Sequence, residues 1–136
     1  MTRSKQMQRP RIALVVDDQE INRDVLGVIL QDQFEILYAE NGQEALDIMR
    51  AHADDLAVVL LDLMMPVMNG FTVLERVRED ERLRGIPIIV LTAEQSAKPR
   101  ALQAGAADFI TKPFDTSEVI LNRVGQIIKL YGRNKR

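Results

Sequence analysis

The chain has 136 residues, with 18 basic and 20 acidic side chains, a net charge of −2 and no cysteine. This length indicates one domain, whose folding buries roughly two-thirds of the unfolded chain's surface. The absence of cysteine excludes disulfides and thiolate metal sites, and the absence of an apolar run of about 20 residues excludes a bilayer-spanning helix, so we expect a cytoplasmic protein.

Charge is divided unevenly along the chain. Residues 12–128 contain all 20 acidic residues but ten of the 18 basic ones, which gives this stretch a net charge of −10. The other basic residues lie at the two ends: Arg3, Lys5, Arg9, Arg11, Lys129, Arg133, Lys135 and Arg136. Because phosphate contacts supply most non-specific affinity for nucleic acid, an acidic body argues against direct nucleic-acid binding.

Short β-rich apolar runs alternate with segments of helical periodicity. The runs predict five strands, near Ile12–Val16, Glu35–Ala39, Ala57–Leu61, Ile88–Leu91 and Asp108–Thr111. Alternation of this kind predicts an α/β fold with a parallel sheet. Five parallel strands with right-handed crossovers give the flavodoxin-like doubly wound order 2-1-3-4-5.

Helical spacing and turn residues predict five helices. The first three are marked by apolar residues: Ile21, Val25, Val28 and Ile29; Ala45, Ile48 and Met49, after the turn Asn41-Gly42; and Phe71, Leu74 and Val77, after Asn69-Gly70. The fourth has Pro99 near its start and Gly105 at its end. The fifth begins near Asp115-Thr116-Ser117, runs to about Tyr131, and has the stripe Ile120, Val124 and Ile127 to face the sheet.

Three carboxylates stand at the ends of two predicted strands. Asp17 and Asp18 follow the first strand, and Asp62 follows the run Leu56–Leu61. Ligands of parallel sheets bind outside the carboxyl ends of the strands, so these side chains should converge. Because crowded carboxylates raise each other's pKa, convergence implies a divalent cation, and oxygen donors favour Mg²⁺ (or Mn²⁺) over Zn²⁺. The alternative is that the three acids are solvated loop residues.

Two further strand ends supply complementary groups. The run Ile86–Leu91 stops at Thr92-Ala93, and the fifth strand stops at Lys112-Pro113. A metal, a hydroxyl and an ammonium group around an acid suit a phosphoryl group, whose transfer depends on positioning and charge neutralisation. Either residue alone would be weak evidence, but together with the acids they predict phosphoryl chemistry.

The ordered set of these residues resembles the receiver domain of two-component response regulators. The residues that carry the resemblance are Asp17-Asp18, Asp62, Met65-Pro66, Gly70, Thr92-Ala93 and Lys112-Pro113-Phe114, within roughly residues 10–131. The organisation expected is a disordered segment over residues 1–10, a receiver domain over 11–131, and a tail or linker over 132–136. The resemblance implies a signalling switch that assists its own Mg²⁺-dependent phosphorylation and dephosphorylation but is not otherwise an enzyme.

The resemblance also implies roles for individual residues. Asp62 would be the phospho-acceptor, Thr92 and Lys112 would bind phosphoryl oxygens, and the Lys112-Pro113 peptide bond would be cis. The implied Mg²⁺ ligands are Asp17, Asp18, Asp62 and the backbone carbonyl of Met64. Met64 and Glu94 would tune the phosphorylated lifetime, and Phe109 would be a switch residue that, lacking a hydroxyl, prefers a buried orientation.

Partners follow from the same resemblance. The phosphoryl donor would be a histidine kinase or a histidine phosphotransfer protein. The output surface would be the fourth helix, fifth strand and fifth helix, through which a homodimer could form. On the fifth helix Val119, Leu121 and Leu130 exceed the stripe needed to pack on the sheet, which favours that interface.

Two alternatives remain open at this point. A phosphorylation-independent interaction domain would share the fold, but such domains usually lack one of the acids, the Thr or the Lys, all of which are present here. A Mg²⁺-dependent aspartyl phosphatase of the haloacid dehalogenase-like family would carry a second Asp two residues after its nucleophile, where this chain has Met64 after Asp62.

Overall fold

Five strands alternate with helices in the structure, a computed structural model that describes residues 11–113 and 116–132. The strands are β1 (Ile12–Val16), β2 (Glu35–Ala39), β3 (Leu56–Leu61), β4 (Ile88–Thr92) and β5 (Asp108–Thr111). The helices are α1 (Glu20–Leu30), α2 (Gly42–Ala51), α3 (Gly70–Glu79), α4 (Lys98–Gln103, preceded by a 3₁₀ turn at Gln95–Ala97) and α5 (Ser117–Gly132). None of these helices combines the length and apolarity of a membrane span.

The predicted elements are all present, with small shifts at their ends. The third strand begins at Leu56 and the fourth includes Thr92, one residue beyond each prediction. The predicted disordered segment and most of the predicted tail, together with Phe114 and Asp115, lie outside the described residues.

The sheet is parallel, with the strand order β2-β1-β3-β4-β5, which confirms the predicted doubly wound fold. Strand β1 pairs with both β2 and β3, and Val16 lies opposite Leu61. The next residue on each strand is an aspartate, and the Asp62 amide donates to the Val16 carbonyl at 3.0 Å. Strand pairing therefore places the ends of β1 and β3 side by side.

The core forms one layer on each face of the sheet, because β1, β3 and β4 are buried along their whole lengths. In β1, Leu14 and Val16 belong to one layer, and Ala13 and Val15 to the other. Helices α2, α3 and α4 complete the first layer, and α1 and α5 complete the second. The strand ends that carry polar groups are thus held by apolar packing on both faces.

Helix α3 begins in direct contact with the end of β3. The Asn69 side chain caps it by accepting from the Thr72 amide at 3.1 Å. A Cβ on Gly70 would lie 2.8 Å from the Asp62 carbonyl oxygen and 2.8 Å from the Leu63 Cα, both of them backbone atoms. Glycine at this position therefore permits the close approach that fixes the loop after Asp62.

Helix α1 packs through a different stripe from the one that marked it in the sequence. Its buried apolar side chains are Leu26 and Leu30, and Ile29, one of the four residues that marked the helix, is partly buried against the same core layer. Ile21, Val25 and Val28 are 70%, 45% and 65% exposed. At 3.6 residues per turn these three lie on the opposite side of the helix from Leu26 and Leu30, so α1 has two apolar stripes and only one can face the sheet.

Helix α5 packs through the predicted stripe, since Ile120, Val124 and Ile127 are buried against the second core layer. The apolar excess expected on this helix is smaller than predicted. Leu121 packs against the same layer and Val119 is half-buried, whereas Leu130 is 61% exposed. Helix α1 lies beside α5.

Arg123 connects α5 to the start of β5. Its guanidinium donates to both carboxylate oxygens of Asp108, at 2.6 and 2.7 Å, and to the Phe109 carbonyl at 3.2 Å. Partial burial raises the pKa of Asp108, but the hydrogen bonds from Arg123 and from the Phe109 amide outweigh burial and lower this pKa below its ordinary value of 3.8. The pair stabilises the folded state while Asp108 is ionised.

We expect Arg123→Met to lower the free energy of unfolding by about 1 kcal/mol at neutral pH, a modest value because both side chains are partly exposed. A lowered carboxyl pKa contributes stability above the unfolded value of 3.8, and this contribution disappears as pH falls through the folded pKa. The difference between wild type and variant should therefore shrink in acid, as measured by urea unfolding over a pH series. Arg84→Met, whose partner Glu81 is 4.0 Å away on the exposed surface, is the control; a difference independent of pH would contradict the assignment.

Candidate functional site

The three predicted carboxylates meet at the carboxyl edge of the sheet. Each of Asp17, Asp18 and Asp62 offers one oxygen, and these oxygens all lie within 4.8 Å of one another. Asp17 is 1% exposed and Asp62 is 9% exposed, whereas Asp18 is exposed. The single histidine of the chain, His52, lies at the other end of the sheet, because it terminates α2 and its carbonyl accepts from the Leu56 amide at the start of β3.

Protein groups already occupy the carboxylate of Asp17. One oxygen accepts from the Gln19 amide at 2.9 Å and from the Asn22 side chain at 3.4 Å. The other accepts from Lys112 Nζ at 2.7 Å. Arg23 donates to the Asp17 backbone carbonyl at 2.8 Å. Asp17 is therefore a fixed group, and the exposed Asp18 carboxylate is the more accessible of the two neighbours.

Lys112 brings a cation from the end of β5 to the acids. Its ammonium lies 2.7 Å from Asp17 and 3.5 Å from Asp62, and its side chain is 18% exposed. The Lys112 amide donates to the Thr92 carbonyl at 2.9 Å, which continues the pairing of β4 with β5. The peptide bond between Lys112 and Pro113 is cis, as the resemblance implies. The backbone thus positions the ammonium between two strand-end carboxylates.

Burial is the main influence on Asp62. It raises the pKa of this carboxyl above the ordinary 3.8, while Lys112 and a hydrogen bond from the Met64 amide at 3.2 Å lower it and the charge of Asp17 raises it. The net pKa is raised. The sequence suggested that repulsion between acids would dominate, but desolvation is the larger effect because Asp62 follows a fully buried strand.

The remaining predicted site residues lie around this cluster. Thr92 is buried, and its hydroxyl oxygen is 3.4 Å from the donating Glu94 amide. The Glu94 carboxylate accepts from the Ser96 hydroxyl at 2.8 Å. Met64 is 64% exposed at the rim of the cluster. Phe109 is 4% exposed, in the buried orientation predicted for it, and pairs with Val90 in the sheet.

The donor set fits a hard divalent cation. Three carboxylates converge, and two of them, Asp17 and Asp62, lie within hydrogen-bonding distance of the same ammonium group. Burial and the charge of Asp17 both disfavour the anionic form of Asp62. Carboxylate and carbonyl oxygens are the ligands that Mg²⁺ and Mn²⁺ prefer, and the chain offers neither thiolate nor a nearby imidazole.

Two clefts flank the cluster. The α1 cleft, of about 360 Å³, is lined by Asn22, Val25, Leu26, Ala93, Lys112 and Pro113. The Arg100 cleft, of about 610 Å³, is lined by Asp18, Leu63, Met64, Met65, Pro66, Asn69, Phe71 and Arg100. Arg23 and Arg100 are neighbours of the site that sequence reasoning missed. Arg23 lies near the start of a predicted helix and Arg100 within a weakly patterned one, and neither position has a sequence motif that would mark it as part of a site.

The chain is similar to known signalling proteins. Residues 13–124 match the model of the response regulator receiver domain. The transcriptional regulatory protein SrrA of Staphylococcus aureus is 41% identical over an alignment 111 residues long, which covers 79% of this chain and 44% of SrrA. The chain thus spans less than half the length of this curated relative.

Solved structures show the same fold. A putative response regulator from Chloroflexus aurantiacus superposes with a TM-score of 0.81 at 31% identity, over 89% of this chain and 99% of that one. The chemotaxis protein CheY4 from Vibrio cholerae superposes with a TM-score of 0.77 at 31% identity, over 86% of this chain and 98% of CheY4. The response regulator TrrA from Thermotoga maritima, solved in complex with Mg(2+)-BeF, superposes with a TM-score of 0.75 at 30% identity, over 86% of this chain and 98% of TrrA. With the fold, the carboxylate cluster and the family match in agreement, the chain belongs to the response regulator receiver domain family of two-component signalling.

Proposed function

We propose that the chain is a phospho-accepting switch that receives a phosphoryl group on Asp62 from a histidine kinase or a histidine phosphotransfer protein. The observation that carries the proposal is the position of Asp62, a buried carboxylate whose two oxygens face an amide donor from Met64 and the ammonium of Lys112, beside two more carboxylates. A carboxylate held in this way is a fixed nucleophile surrounded by groups that offset phosphoryl charge.

In the transfer step, an Asp62 oxygen forms a bond to phosphorus while the phosphorus–nitrogen bond of the donor histidine breaks, and the departing imidazole nitrogen keeps the electron pair. Lys112 offsets the negative charge of the transferred group, and the Thr92 hydroxyl donates to one of its oxygens. Asp17, Asp18, Asp62 and the Met64 carbonyl would hold Mg²⁺, which supplies further neutralisation of the phosphoryl charge when bound.

The response to phosphorylation would begin at Thr92. Its hydroxyl lies at the end of β4 and accepts a hydrogen bond from the backbone amide of Glu94, two residues later. Drawing Thr92 toward the phosphoryl group would move this loop and the 3₁₀ turn after it. Phe109 lies on the strand beside β4, so its buried position would be coupled to the loop. The α4, β5 and α5 surface would then change its affinity for partners.

The proposal is tested with phosphoramidate as a small phosphodonor. Incubation with Mg²⁺ should raise the intact mass of the protein by one phosphoryl group, and chelation of the metal before the donor is added should prevent the increase. An unchanged mass in the presence of Mg²⁺ would contradict the proposal and favour a phosphorylation-independent interaction domain.

Met64 is proposed to shield the phosphoryl group from water. Its side chain is exposed at the rim of the cluster and cannot orient a water molecule by a hydrogen bond as an amide would. We expect Met64→Asn to shorten the phosphorylated lifetime several-fold, measured as loss of the added mass after removal of the donor. Met68→Asn, in the same loop, is a control that should change the lifetime less; an equal or longer lifetime in Met64→Asn would refute shielding.

The exposed stripe of α1 is proposed to receive the phosphodonor protein. Ile21, Val25 and Val28 form an apolar face on the helix that leads from Asp17 and Asp18, and Val25 lines the α1 cleft together with Lys112. A protein that delivers a phosphoryl group to Asp62 must cover this edge of the molecule, and an apolar face there provides area to bury.

Homodimer formation through α4, β5 and α5 is also part of the proposal. Leu102 on α4 and Leu130 on α5 are 41% and 61% exposed. We expect beryllofluoride with Mg²⁺ to raise the mass measured by light scattering toward that of a dimer, and Leu130→Glu to prevent the change. Ile21→Glu, on α1, is the matched control, which should leave dimer formation intact and weaken phosphotransfer from a donor protein. A monomer in both states would show that the exposed leucines do not form a dimer.

A further inference from the structure

Arg100 has an unusual environment in the Arg100 cleft. Its guanidinium carbon lies 3.8 Å from the centroid of the Phe71 ring, so α4 contacts α3 through a cation–π pair. The Arg100 residue is exposed, and the cleft it lines includes Leu63 and Met64, the two residues directly after Asp62. Stacking on the ring restricts the guanidinium while leaving its N–H groups open to other acceptors.

The other cations near the cluster already have partners. Lys112 is bonded to Asp17 and Asp62, and Arg23 to the Asp17 carbonyl. Among the residues that the structure describes, Arg100 makes neither a salt bridge nor a hydrogen bond to a carbonyl group. Of the described residues that line the Arg100 cleft, Arg100 alone carries a positive charge. An anion that enters beside the acidic cluster would therefore meet a positioned and uncommitted guanidinium.

We propose that Arg100, stacked on Phe71, binds the carboxylate leaving group of small acyl phosphates and so makes them preferred small-molecule donors to Asp62. The inference rests on the proposed function. It concerns which small donors the site accepts, whereas protein donors are proposed to bind over α1. A planar guanidinium matches the two oxygens of a carboxylate, and the aromatic ring beneath it provides an apolar surface for a short acyl chain.

The chemistry of the step separates two kinds of donor. With an acyl phosphate, the bond from an Asp62 oxygen to phosphorus forms, the bond from phosphorus to the acyl oxygen breaks, and a carboxylate leaves with the electron pair. With phosphoramidate, the phosphorus–nitrogen bond breaks and neutral ammonia leaves. A guanidinium that binds the leaving group strengthens its contact as negative charge develops in the first case and gains little in the second.

The experiment compares acetyl phosphate and phosphoramidate as donors to wild type and Arg100→Gln in Mg²⁺, following the phosphorylated fraction by intact mass over time. We expect Arg100→Gln to reduce the second-order rate with acetyl phosphate about tenfold and the rate with phosphoramidate by less than about twofold. Phe71→Leu keeps an apolar side chain but removes the ring, and should reduce the acetyl phosphate rate by a smaller factor. Arg100→Lys keeps the charge without the planar fork and should restore only part of the rate.

Arg84→Gln controls for the loss of one positive charge, since Arg84 is exposed and lies after α3, away from the cleft lining. An equal reduction with both donors, or the same reduction in Arg84→Gln, would overturn leaving-group binding, as would an unchanged acetyl phosphate rate in Arg100→Gln. In all these cases phosphoramidate labelling of wild type would leave the proposed function intact. Failure of phosphoramidate to label wild type would overturn both.

Discussion

Replacing Asp62 by asparagine should abolish phosphorylation, with no mass increase from either small donor. Asp62 is the carboxylate that lies next to Lys112, accepts from the Met64 amide and belongs to the acidic cluster, and an amide in its place has no nucleophilic oxygen anion. Asp54→Asn, which removes an exposed acid just before β3 at the other end of the sheet, should leave labelling unchanged. Undiminished labelling of Asp62→Asn would place the acceptor elsewhere.

The same substitution should stabilise the metal-free fold, which separates loss of the nucleophile from loss of structure. Burial raises the pKa of Asp62 above 3.8, so the contribution of this carboxyl to stability is complete below that pH and is lost as pH rises through the folded pKa. Asparagine does not titrate. The advantage of Asp62→Asn in chemical unfolding without metal should therefore be largest at neutral pH and should vanish in acid.

Asp18→Ala should weaken Mg²⁺ binding more than Asp17→Ala. The oxygens of Asp17 already accept from Gln19, Asn22 and Lys112, so this carboxylate is proposed to act mainly through metal-bound water, whereas exposed Asp18 is free to be a direct ligand. Removal of a group that supports ligation indirectly costs roughly 10- to 100-fold in metal affinity, and we expect Asp17→Ala near the lower value and Asp18→Ala above about 100-fold.

Isothermal titration calorimetry of each variant with Mg²⁺ measures these affinities and so tests their predicted order. Lys112 would be released from Asp17 in Asp17→Ala, so unfolding of both metal-free variants should be compared with wild type to show that they are folded. Asp24→Ala, an exposed acid further along α1, is the matched control. An Asp18→Ala variant with wild-type affinity would contradict a direct role for this residue.

The strand-end groups could be predicted because parallel pairing leaves little freedom. Once β1 and β3 are recognised as buried strands, Asp17 and Asp62 must follow them at the same edge, and Lys112 follows β5 for the same reason. The ends of the apolar runs were therefore enough to predict where these groups lie. The sequence did not show that burial, rather than Asp17, has the largest effect on the pKa of Asp62, because desolvation depends on the packing of both core layers.

Helix orientation was harder to predict than helix position. Helix α1 has two apolar stripes, and periodicity alone could not decide between Val25 and Leu26 as its packing side. Arg100 and Phe71 lie on separate helices with no shared motif, so their contact depends on how α3 and α4 pack. Such contacts between helices are set by tertiary structure, which local sequence does not specify.

If Asp62 is the acceptor, as proposed, the pairing of Val16 with Leu61 also ties phosphorylation to folding. Asp17 and Asp62 are far apart in the sequence and become neighbours only when β1 and β3 have joined in register, because a slip by one residue would turn each side chain to the opposite face of the sheet. An incompletely folded chain therefore lacks the cluster and would not be phosphorylated. In a population that contains damaged or newly made molecules, only those with a fully formed sheet would then compete for the donor.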